Sequence, residues 1–273
     1  MDESGLVGIF DSGVGGLSVW REVERQLPNE GTLYLADQAH VPYGTRSLAE
    51  VRLFSEGITR FLLDQGAKII VVACNTASAA ALHHLRHTFP AVPFVGMEPA
   101  VKPAVERTRN SVVGVIATQA TFQGELFASL LERYAGDVKV TTHVCPGLVD
   151  AVEAGANEAL ETEALLWGCL APLIEAGVDQ LVLGCTHYAF LRSAIERITG
   201  ERVAVIDPTP AVARQVGRVV ASRKARARDD RTACHRFYTT GELGAFSRVF
   251  RRLLPESGGQ IKLRQARWRG QCL

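Results

Sequence analysis

The chain has 273 residues, of which 47% are hydrophobic and 22% are charged, and its formal net charge is +1. This composition predicts a folded globular protein of one large or two medium domains. A net charge so close to zero gives no argument for a nucleic-acid or membrane-surface partner. No apolar run reaches the ~20 residues needed to span a bilayer.

Apolar runs rich in Val and Ile alternate along the chain with amphipathic stretches, and the first run follows an acidic N-terminus that is unlike a signal peptide. The predicted strands cover residues 6–11, 32–37, 68–74, 93–97, 111–118, 138–144, 180–185 and 202–208. Amphipathic stretches that predict helices lie between them, for example at residues 46–64, 77–89, 122–134, 158–176 and 188–198. Continuous apolar strands separated by helices are typical of parallel sheets covered on both faces, so the predicted fold is doubly wound α/β.

The C-terminal part is less regular. Residues 222–236 mix basic and acidic side chains and predict a solvated connector. Residues 237–242 predict one more strand, followed by a last helix through residue 254. The final ten residues, RQARWRGQCL, are basic with one Trp, and we expect a surface tail.

The chain contains two similar halves. VVACNTASAAAL (71–82) and LVLGCTHYAFL (181–191) both pass from an apolar strand through Cys and Thr into a helix. Ser12 of GIFDSGVGG aligns with Thr118 of GVIATQAT, and VPYG (41–44) aligns loosely with CPGLVD (145–150). This repetition predicts two pseudo-symmetric α/β domains with a ligand site in the cleft between them, where the carboxyl ends of the strands meet.

Two proline-containing segments, 97–105 and 206–213, predict the crossings between the halves. The first domain is accordingly expected to comprise residues 1–98 together with 209–273. The second domain is expected to comprise residues 99–208. Six cysteines in a chain of this length do not form a dense disulfide framework, so free thiols in a reducing cytoplasm are expected.

Cys74 and Cys185 are the first candidates for chemistry, because each follows a predicted strand and begins a predicted helix. Unpaired amides and the helix dipole at such a position favour a thiolate over a thiol. We therefore expect a lowered pKa and two sulfurs that face each other across the cleft. The alternative is a pair of packing thiols, and that interpretation is favoured for Cys145, Cys169, Cys234 and Cys272.

Further candidates lie near the ends of strands. Asp11 and Ser12 precede a glycine-rich turn whose amides are expected to approach a small anionic ligand, although a capping Asp is the alternative. His187 is a candidate proton carrier beside Cys185. Tyr43 and Gly44 line the predicted pocket unless PYG is simply a turn, and Glu153 taken alone has the pattern of a surface carboxylate.

Several other classes of site are poorly supported by the sequence. The turn GVGG (13–16) does not fit the dinucleotide fingerprint, and no P-loop motif is present. No lysine follows a predicted strand as a Schiff-base residue would, and no CxxC pair occurs. His83, His84 and His87 are expected to form a solvated helix face, and no metal site is predicted.

Five motifs together, FDSGVGGLSV (10–19), VPYGTRS (41–47), ACNTASAAAL (73–82), GLVDAVE (147–153) and LGCTHYAFL (183–191), closely resemble the glutamate racemases of the aspartate/glutamate racemase superfamily. The likeness runs from about residue 6 to residue 255. It implies cofactor-independent interconversion of L- and D-glutamate for peptidoglycan synthesis, in a cytoplasmic enzyme that forms a homodimer. His after the second Cys-Thr favours glutamate over aspartate, since aspartate racemases of the superfamily usually carry Glu there.

The resemblance also implies residue roles. Cys74 and Cys185 would act as the two bases, with Asp11 assisting Cys74, and with His187 and Glu153 assisting Cys185. Substrate contacts would come from Asp11, Ser12, Pro42, Tyr43, Gly44, Asn75, Thr76, Thr118, Thr121, Thr186 and His187. Three alternatives stay open at this point: an aspartate or hydantoin racemase, an amino-acid binding module, and a DNA-gyrase partner, for which the charge pattern gives no support.

Overall fold

The computed structural model describes residues 5–223, 225–227, 233–255 and 260–273. In this part of the chain, ten strands form two separate sheets, and every pairing within them is parallel. The central strands are buried along almost their whole length, as in sheets covered by helices on both faces. The predicted α/β fold with parallel sheets is confirmed.

The first sheet has six strands in the order β10-β9-β2-β1-β3-β4. Its strands are β1 (Leu6–Asp11), β2 (Thr32–Ala36), β3 (Ala67–Val72), β4 (Phe94–Gly96), β9 (Cys234–Thr239) and β10 (Gln260–Gln265). The second sheet has four strands in the order β6-β5-β7-β8. Its strands are β5 (Val112–Ala117), β6 (Lys139–Val144), β7 (Gln180–Gly184) and β8 (Ala204–Ile206).

Helices connect the strands and cover both sheets. In chain order they are α1 (Leu17–Gln26), α2 (Leu48–Asp64), α3 (Asn75–Thr88), α4 (Val101–Arg107), α5 (Gln119–Gln123), α6 (Glu125–Tyr134), α7 (Leu148–Glu153), α8 (Leu160–Glu175), α9 (Arg192–Thr199), α10 (Thr209–Ser222) and α11 (Leu243–Leu253). Two short 3-10 helices lie at Tyr43–Thr45 and Thr186–Leu191. None of the described helices combines the length and apolarity needed to cross a membrane.

The structure differs from the expected elements in two helices and at the C-terminus. The helix expected over 122–134 is interrupted at Gly124, whose backbone is extended. The helix expected over 188–198 begins as the 3-10 turn Thr186–Leu191. The expected surface tail is right for exposure, since seven of its ten residues are exposed, but it is not a free tail. Its first two residues belong to the edge strand β10, which pairs with β9, and the Trp268 indole donates a hydrogen bond to Asp37.

The connector predicted at 222–236 lies partly outside the described residues. Ala225 and Ala227, which are described, are buried against the first sheet. Lys68 Nζ contacts the Ala225 carbonyl and a Glu30 carboxylate oxygen, each at 2.6 Å. This part of the segment is therefore packed rather than solvated.

One apolar cluster continues from the first sheet into the second. It includes Val14 and Leu17 on the first side and Leu148 and Tyr188 on the second, all fully buried. Helix α1 contacts α10 and the Thr186–Leu191 turn, so it lies at the contact between the halves. The domain limits at 98/99 and 208/209 stay a prediction; both fall in connections between strands of different sheets.

Candidate active site

A small cavity lies between the carboxyl ends of the two sheets. It is lined by Ser12, Pro42, Tyr43, Gly44, Cys74, Asn75, Thr76, Thr118, Val149, Gly184, Cys185, Thr186 and His187. All but Val149 and Gly184 were candidates from the sequence. Asp11, Thr121 and Glu153 lie behind this wall and contact residues in it. The structure thus brings all the predicted site residues together, while their roles stay proposals.

Cys74 forms the N-cap of α3, as its place after β3 predicted. Its Sγ accepts a hydrogen bond from the Ala77 amide at 3.4 Å. The expected lowering of its pKa is wrong: burial, followed by the nearby Asp11 carboxylate, raises the pKa of Cys74 well above its ordinary value, and the Ala77 amide only partly opposes this. Burial disfavours the thiolate more than one helix terminus favours it. Burial therefore favours the thiol form of Cys74.

Asp11 lies at the end of β1, beneath Cys74. Its Oδ2 accepts a hydrogen bond from the Gly16 amide at 2.6 Å. Its Oδ1 is buried without an N–H or O–H partner. Burial raises the pKa of Asp11, although the charge of His187 and a hydrogen bond with the Cys74 thiol oppose the rise. A carboxyl group with a raised pKa beside a thiol is suited to exchanging a proton with it.

Cys185 is placed against a different partner. His187 Nδ1 lies 3.7 Å from the Cys185 Sγ, and His187 Nε2 lies 2.7 Å from Glu153 Oε1. Burial opposes a charged imidazole, but the hydrogen bonds to Cys185 and Glu153 outweigh it and raise the pKa of His187 well above its ordinary value. A protonated imidazole at this distance stabilises negative charge on the Cys185 sulfur.

Glu153 is held by three hydrogen-bond donors. Besides His187, the Val14 amide donates to Oε1 and Gln38 Nε2 donates to Oε2, each at 2.7 Å. Burial alone would raise its pKa, but these hydrogen bonds, led by that of His187, lower it. The pattern of a surface carboxylate was therefore misleading, because packing of α7 against the first half buries Glu153.

The glycine-rich turn after β1 holds two of these acidic side chains. The amides of Val14 and Gly16 are occupied by the carboxylates of Glu153 and Asp11. A Cβ at Gly13 would overlap the Glu153 carboxylate, and one at Gly15 would overlap the His187 imidazole. The turn therefore fixes two acidic side chains, and the approach of its other amides to an anionic ligand stays a prediction.

Polar groups with free hydrogen-bonding capacity face the cavity. Both amide atoms of Asn75 are buried without a partner, and Asn75 lines the wall. The hydroxyls of Thr76, Thr118 and Thr121 form a triangle with sides of 2.9, 2.9 and 3.3 Å. Thr76 belongs to α3 and the other two to the second half, so the triangle closes the cleft on one side. A polar ligand would satisfy Asn75.

Tyr43 is fixed in the wall by Asp37. The buried Asp37 carboxylate accepts hydrogen bonds from the Tyr43 hydroxyl at 2.7 Å and from His40 at 2.8 Å. Its other oxygen accepts from Thr240 at 2.8 Å and from the Trp268 indole at 2.7 Å. The C-terminal residues therefore support the wall of the cavity, which a free tail would not do.

The remaining cysteines and histidines lie away from the cavity. All six cysteines are free, with Cys145 and Cys169 buried, Cys234 in β9 and Cys272 exposed. His84 contacts Glu56 at 2.9 Å on a partly exposed face. Within the described residues, no cluster of His, Cys, Asp and Glu has the arrangement of a metal site.

Gln38 and the Val14 amide, which both donate to Glu153, are among the groups that the sequence analysis missed. Gln38 follows the exit of β2, so the rule that directed attention to strand exits would have included it. Its partner Glu153 is 115 residues away, and no local pattern connects the two.

Comparison with known proteins agrees with this geometry. The family model described as "Asp/Glu/Hydantoin racemase" matches residues 7–216. The chain belongs to the Asp/Glu/hydantoin racemase family. It is 50% identical over 261 residues to the glutamate racemase of Pseudomonas aeruginosa, covering 95% of this chain and 98% of that protein.

Solved structures of this racemase family share the fold. The Bacillus anthracis glutamate racemase RacE1 superposes with a TM-score of 0.85 at 34% identity, over 96% of this chain and 97% of that one. The Francisella tularensis glutamate racemase, solved in complex with D-glutamate, gives a TM-score of 0.82 at 30% identity, over 96% and 97% of the two chains. The resemblance to the glutamate racemases is thereby confirmed.

Proposed function

We propose that this chain is a glutamate racemase that interconverts L- and D-glutamate with Cys74 and Cys185 as its two proton-transfer groups. The observation that carries the proposal is the placement of both thiols in the wall of one cavity, each with its own acid–base partner. The 50% identity to the Pseudomonas aeruginosa enzyme supports glutamate as the substrate. His187 after Cys185 supports it further over aspartate.

Cys185 and Cys74 have different acid–base partners, an imidazole and a carboxyl group, which suits a reaction that needs one base and one acid. The imidazolium of His187 favours a Cys185 thiolate, which takes the α-proton from one face of Cα. The Cys74 thiol, beside Asp11, returns a proton to the opposite face. The reverse direction starts with the proton on Cys185 and the charge on the Cys74 side.

The weak acidity of the Cα–H bond is the main obstacle. Positioning both sulfurs along one line through Cα supplies part of the reduction in barrier. Hydrogen bonds from Asn75 and the threonine hydroxyls to the substrate carboxylate supply another part, since they stabilise charge that develops on the carbanion. Both effects are strengthened because the site is buried.

The wider role is proposed from the family. The reaction would need no cofactor and would supply D-glutamate for peptidoglycan synthesis. A cytoplasmic location is proposed because the six cysteines are free thiols, as in proteins of a reducing compartment. A homodimer is proposed on the same ground.

The proposal is tested by Cys74→Ser and Cys185→Ser. Each variant should lose racemisation by at least about 10³-fold, since removing one member of a catalytic pair disables the unit. The measurement is circular dichroism of each glutamate enantiomer, with incorporation of deuterium from D₂O at Cα. Cys272→Ser, at an exposed thiol, is the matched control and should keep full activity. Full activity in either active-site variant would contradict the two-thiol mechanism, and stronger turnover of aspartate would contradict the substrate.

A further inference from the structure

Gln38 connects the two halves of the cleft at the carboxylate that supports His187. Gln38 follows β2 of the first sheet, whereas Glu153 ends α7, which follows β6 of the second sheet. Its Nε2 lies 2.7 Å from Glu153 Oε2. Gln38 contacts neither thiol and is absent from the wall of the cavity.

The donors to Glu153 come from both halves. His187 belongs to the same half as Glu153, but the Val14 amide and Gln38 belong to the other. Two of the three hydrogen bonds that hold Glu153 ionised therefore exist only while the halves are in contact. Since a buried carboxylate needs such donors to remain charged, its charge depends on closure of the cleft.

The Thr239 hydroxyl fixes the orientation of the Gln38 amide on the side away from Glu153. The Thr239 hydroxyl lies 2.7 Å from Gln38 Oε1 and accepts a hydrogen bond from the Gly241 amide at 3.0 Å. The Gly241 amide leaves the Thr239 hydroxyl proton free, and that proton is donated to Gln38 Oε1. The Gln38 NH₂ group then faces Glu153, where it donates to the charged carboxylate. The opposite orientation would place two oxygen acceptors together.

We propose that Gln38 is a positioning residue for this reaction, which holds Glu153 ionised against His187 when the cleft is closed and thereby sets up Cys185 for proton transfer. The inference rests on the proposed racemase function. Asp11 takes its shorter hydrogen bond from Gly16 within its own half and a longer one, at 3.4 Å, from the Thr186 hydroxyl of the other half. Gln38 donates to Glu153 and reaches Asp11 only indirectly, through the charges of His187 and Glu153. The effect of Gln38 is consequently larger on the Cys185 side than on the Cys74 side.

An effect that is larger on one side has a distinctive kinetic signature. L- and D-glutamate have equal free energies, so kcat/KM must be the same in both directions for any variant. Slower proton transfer at Cys185 still shows in isotope effects. The effect of α-deuteration rises for the enantiomer that Cys185 deprotonates, and the effect of D₂O rises for the other enantiomer.

The test is Gln38→Met, which keeps the length of the side chain and removes the donor. The matched control is Gln215→Met, since Gln215 is exposed on α10 and lies outside the hydrogen bonds around Gln38 and Glu153. We expect Gln38→Met to lower kcat about tenfold with KM changed by less than about twofold, in line with loss of a hydrogen bond to a charged group. The control should match the wild type.

The deciding measurement is the α-deuterium isotope effect of Gln38→Met for each enantiomer. It is compared with the isotope effects of His187→Asn and Asp11→Asn. Gln38→Met should raise it more for the enantiomer affected by His187→Asn than for the one affected by Asp11→Asn. Thr239→Val, which removes the orienting hydroxyl, should give a smaller effect of the same kind. It also provides the readout if Gln38→Met does not fold.

Isotope effects that change equally for both enantiomers, that follow the Asp11→Asn pattern or that stay at wild-type values overturn the inference about Gln38. The wild type is measured in the same series. Failure of the wild type to racemise glutamate would instead overturn the proposed function itself, so the two failures are distinguishable.

Discussion

His187 and Glu153 form a buried ion pair in which each group favours the charged form of the other. The pKa of His187 is raised and that of Glu153 is lowered, in both cases against the effect of burial. The two shifts contribute stability over different pH ranges. The raised pKa of His187 contributes stability that is fully present below the unfolded value of about 6.5. This contribution is lost as pH rises through the pKa of the folded state. A lowered glutamate pKa stabilises it above about 4.5 and is lost on acidification.

We therefore predict that His187→Asn destabilises the protein most between about pH 4.5 and 6.5, where both contributions are present. The difference in melting temperature from the wild type should shrink as pH rises from about 6.5 through the raised folded-state pKa of His187, because the stabilisation from the imidazolium is lost over that interval. Thermal unfolding at a series of pH values measures this. A difference that grows with pH would contradict the protonated state of His187.

For single residues, the sequence analysis located both thiols but predicted the wrong direction for the pKa shift of Cys74. Cys74 and Cys185 were found because strand ends and helix starts are visible in the sequence. The direction of the Cys74 pKa shift was predicted wrongly, since it depends on burial and on Asp11, which only the assembled cleft determines. Gln38 was not found because its role depends on a contact between distant segments.

At the scale of elements, the turn after β1 is shaped by the side chains that cross it. Positions 13 and 15 require glycine, because Glu153 and His187 occupy the space where a Cβ would lie. The turn thereby couples α1, which begins at Leu17, to α7 of the other half.

We predict that Gly13→Ala destabilises the protein by about 1–3 kcal/mol, as overpacking of a buried site does, and lowers activity because Glu153 is displaced. The matched control is Gly168→Ala on α8, where an added Cβ meets nothing within 4 Å. There the change should stabilise the protein by about 0.5–1 kcal/mol, since alanine is the better helix former. Urea unfolding and racemase assays measure both. Equal stability of the two variants would contradict the packing around Gly13.

The central strands were predictable from the sequence, whereas the last strand, β10, was not. Strands such as β1 and β3 are uninterrupted apolar runs, which report burial on both faces. Strand β10 reads QIKLRQ and is largely exposed, so its sequence carries little sign of pairing. Its register comes from β9, and Trp268 beyond it is anchored by Asp37 through a contact that spans 231 residues.

For the whole molecule, the size of the cavity determines whether a substrate can enter the cleft. It encloses about 20 Å³, which is room for about one water molecule and not for an amino acid. The cleft is therefore closed in this structure, and admitting a substrate requires its walls to move apart. The threonine triangle and the Gln38–Glu153 hydrogen bond are contacts that such a separation would break.

A covalent tether across the cleft tests this. A Cβ at Gly124 would lie 2.7 Å from the Ala79 Cβ, and these residues belong to opposite halves. With a small shift, Ala79→Cys combined with Gly124→Cys reaches the ~3.5–4.5 Å separation of a disulfide. The oxidised double variant should lose most activity and regain it with dithiothreitol, as followed by racemase assay and mass spectrometry. Each single variant is the control. Full activity in the bridged form would contradict the need for opening.

The order of strands in the first sheet has a consequence for biosynthesis. Strand β9 lies between β2 and β10, yet the ribosome makes it only after every strand of the second sheet. The second sheet ends at Ile206 and comes from one uninterrupted stretch of chain, so it can assemble while the first sheet still lacks two strands. A nascent chain of that length already carries both thiols. It lacks Thr239 and Thr240, the residues behind Gln38 and Asp37, so the cleft acquires its supporting contacts in the last stage of translation.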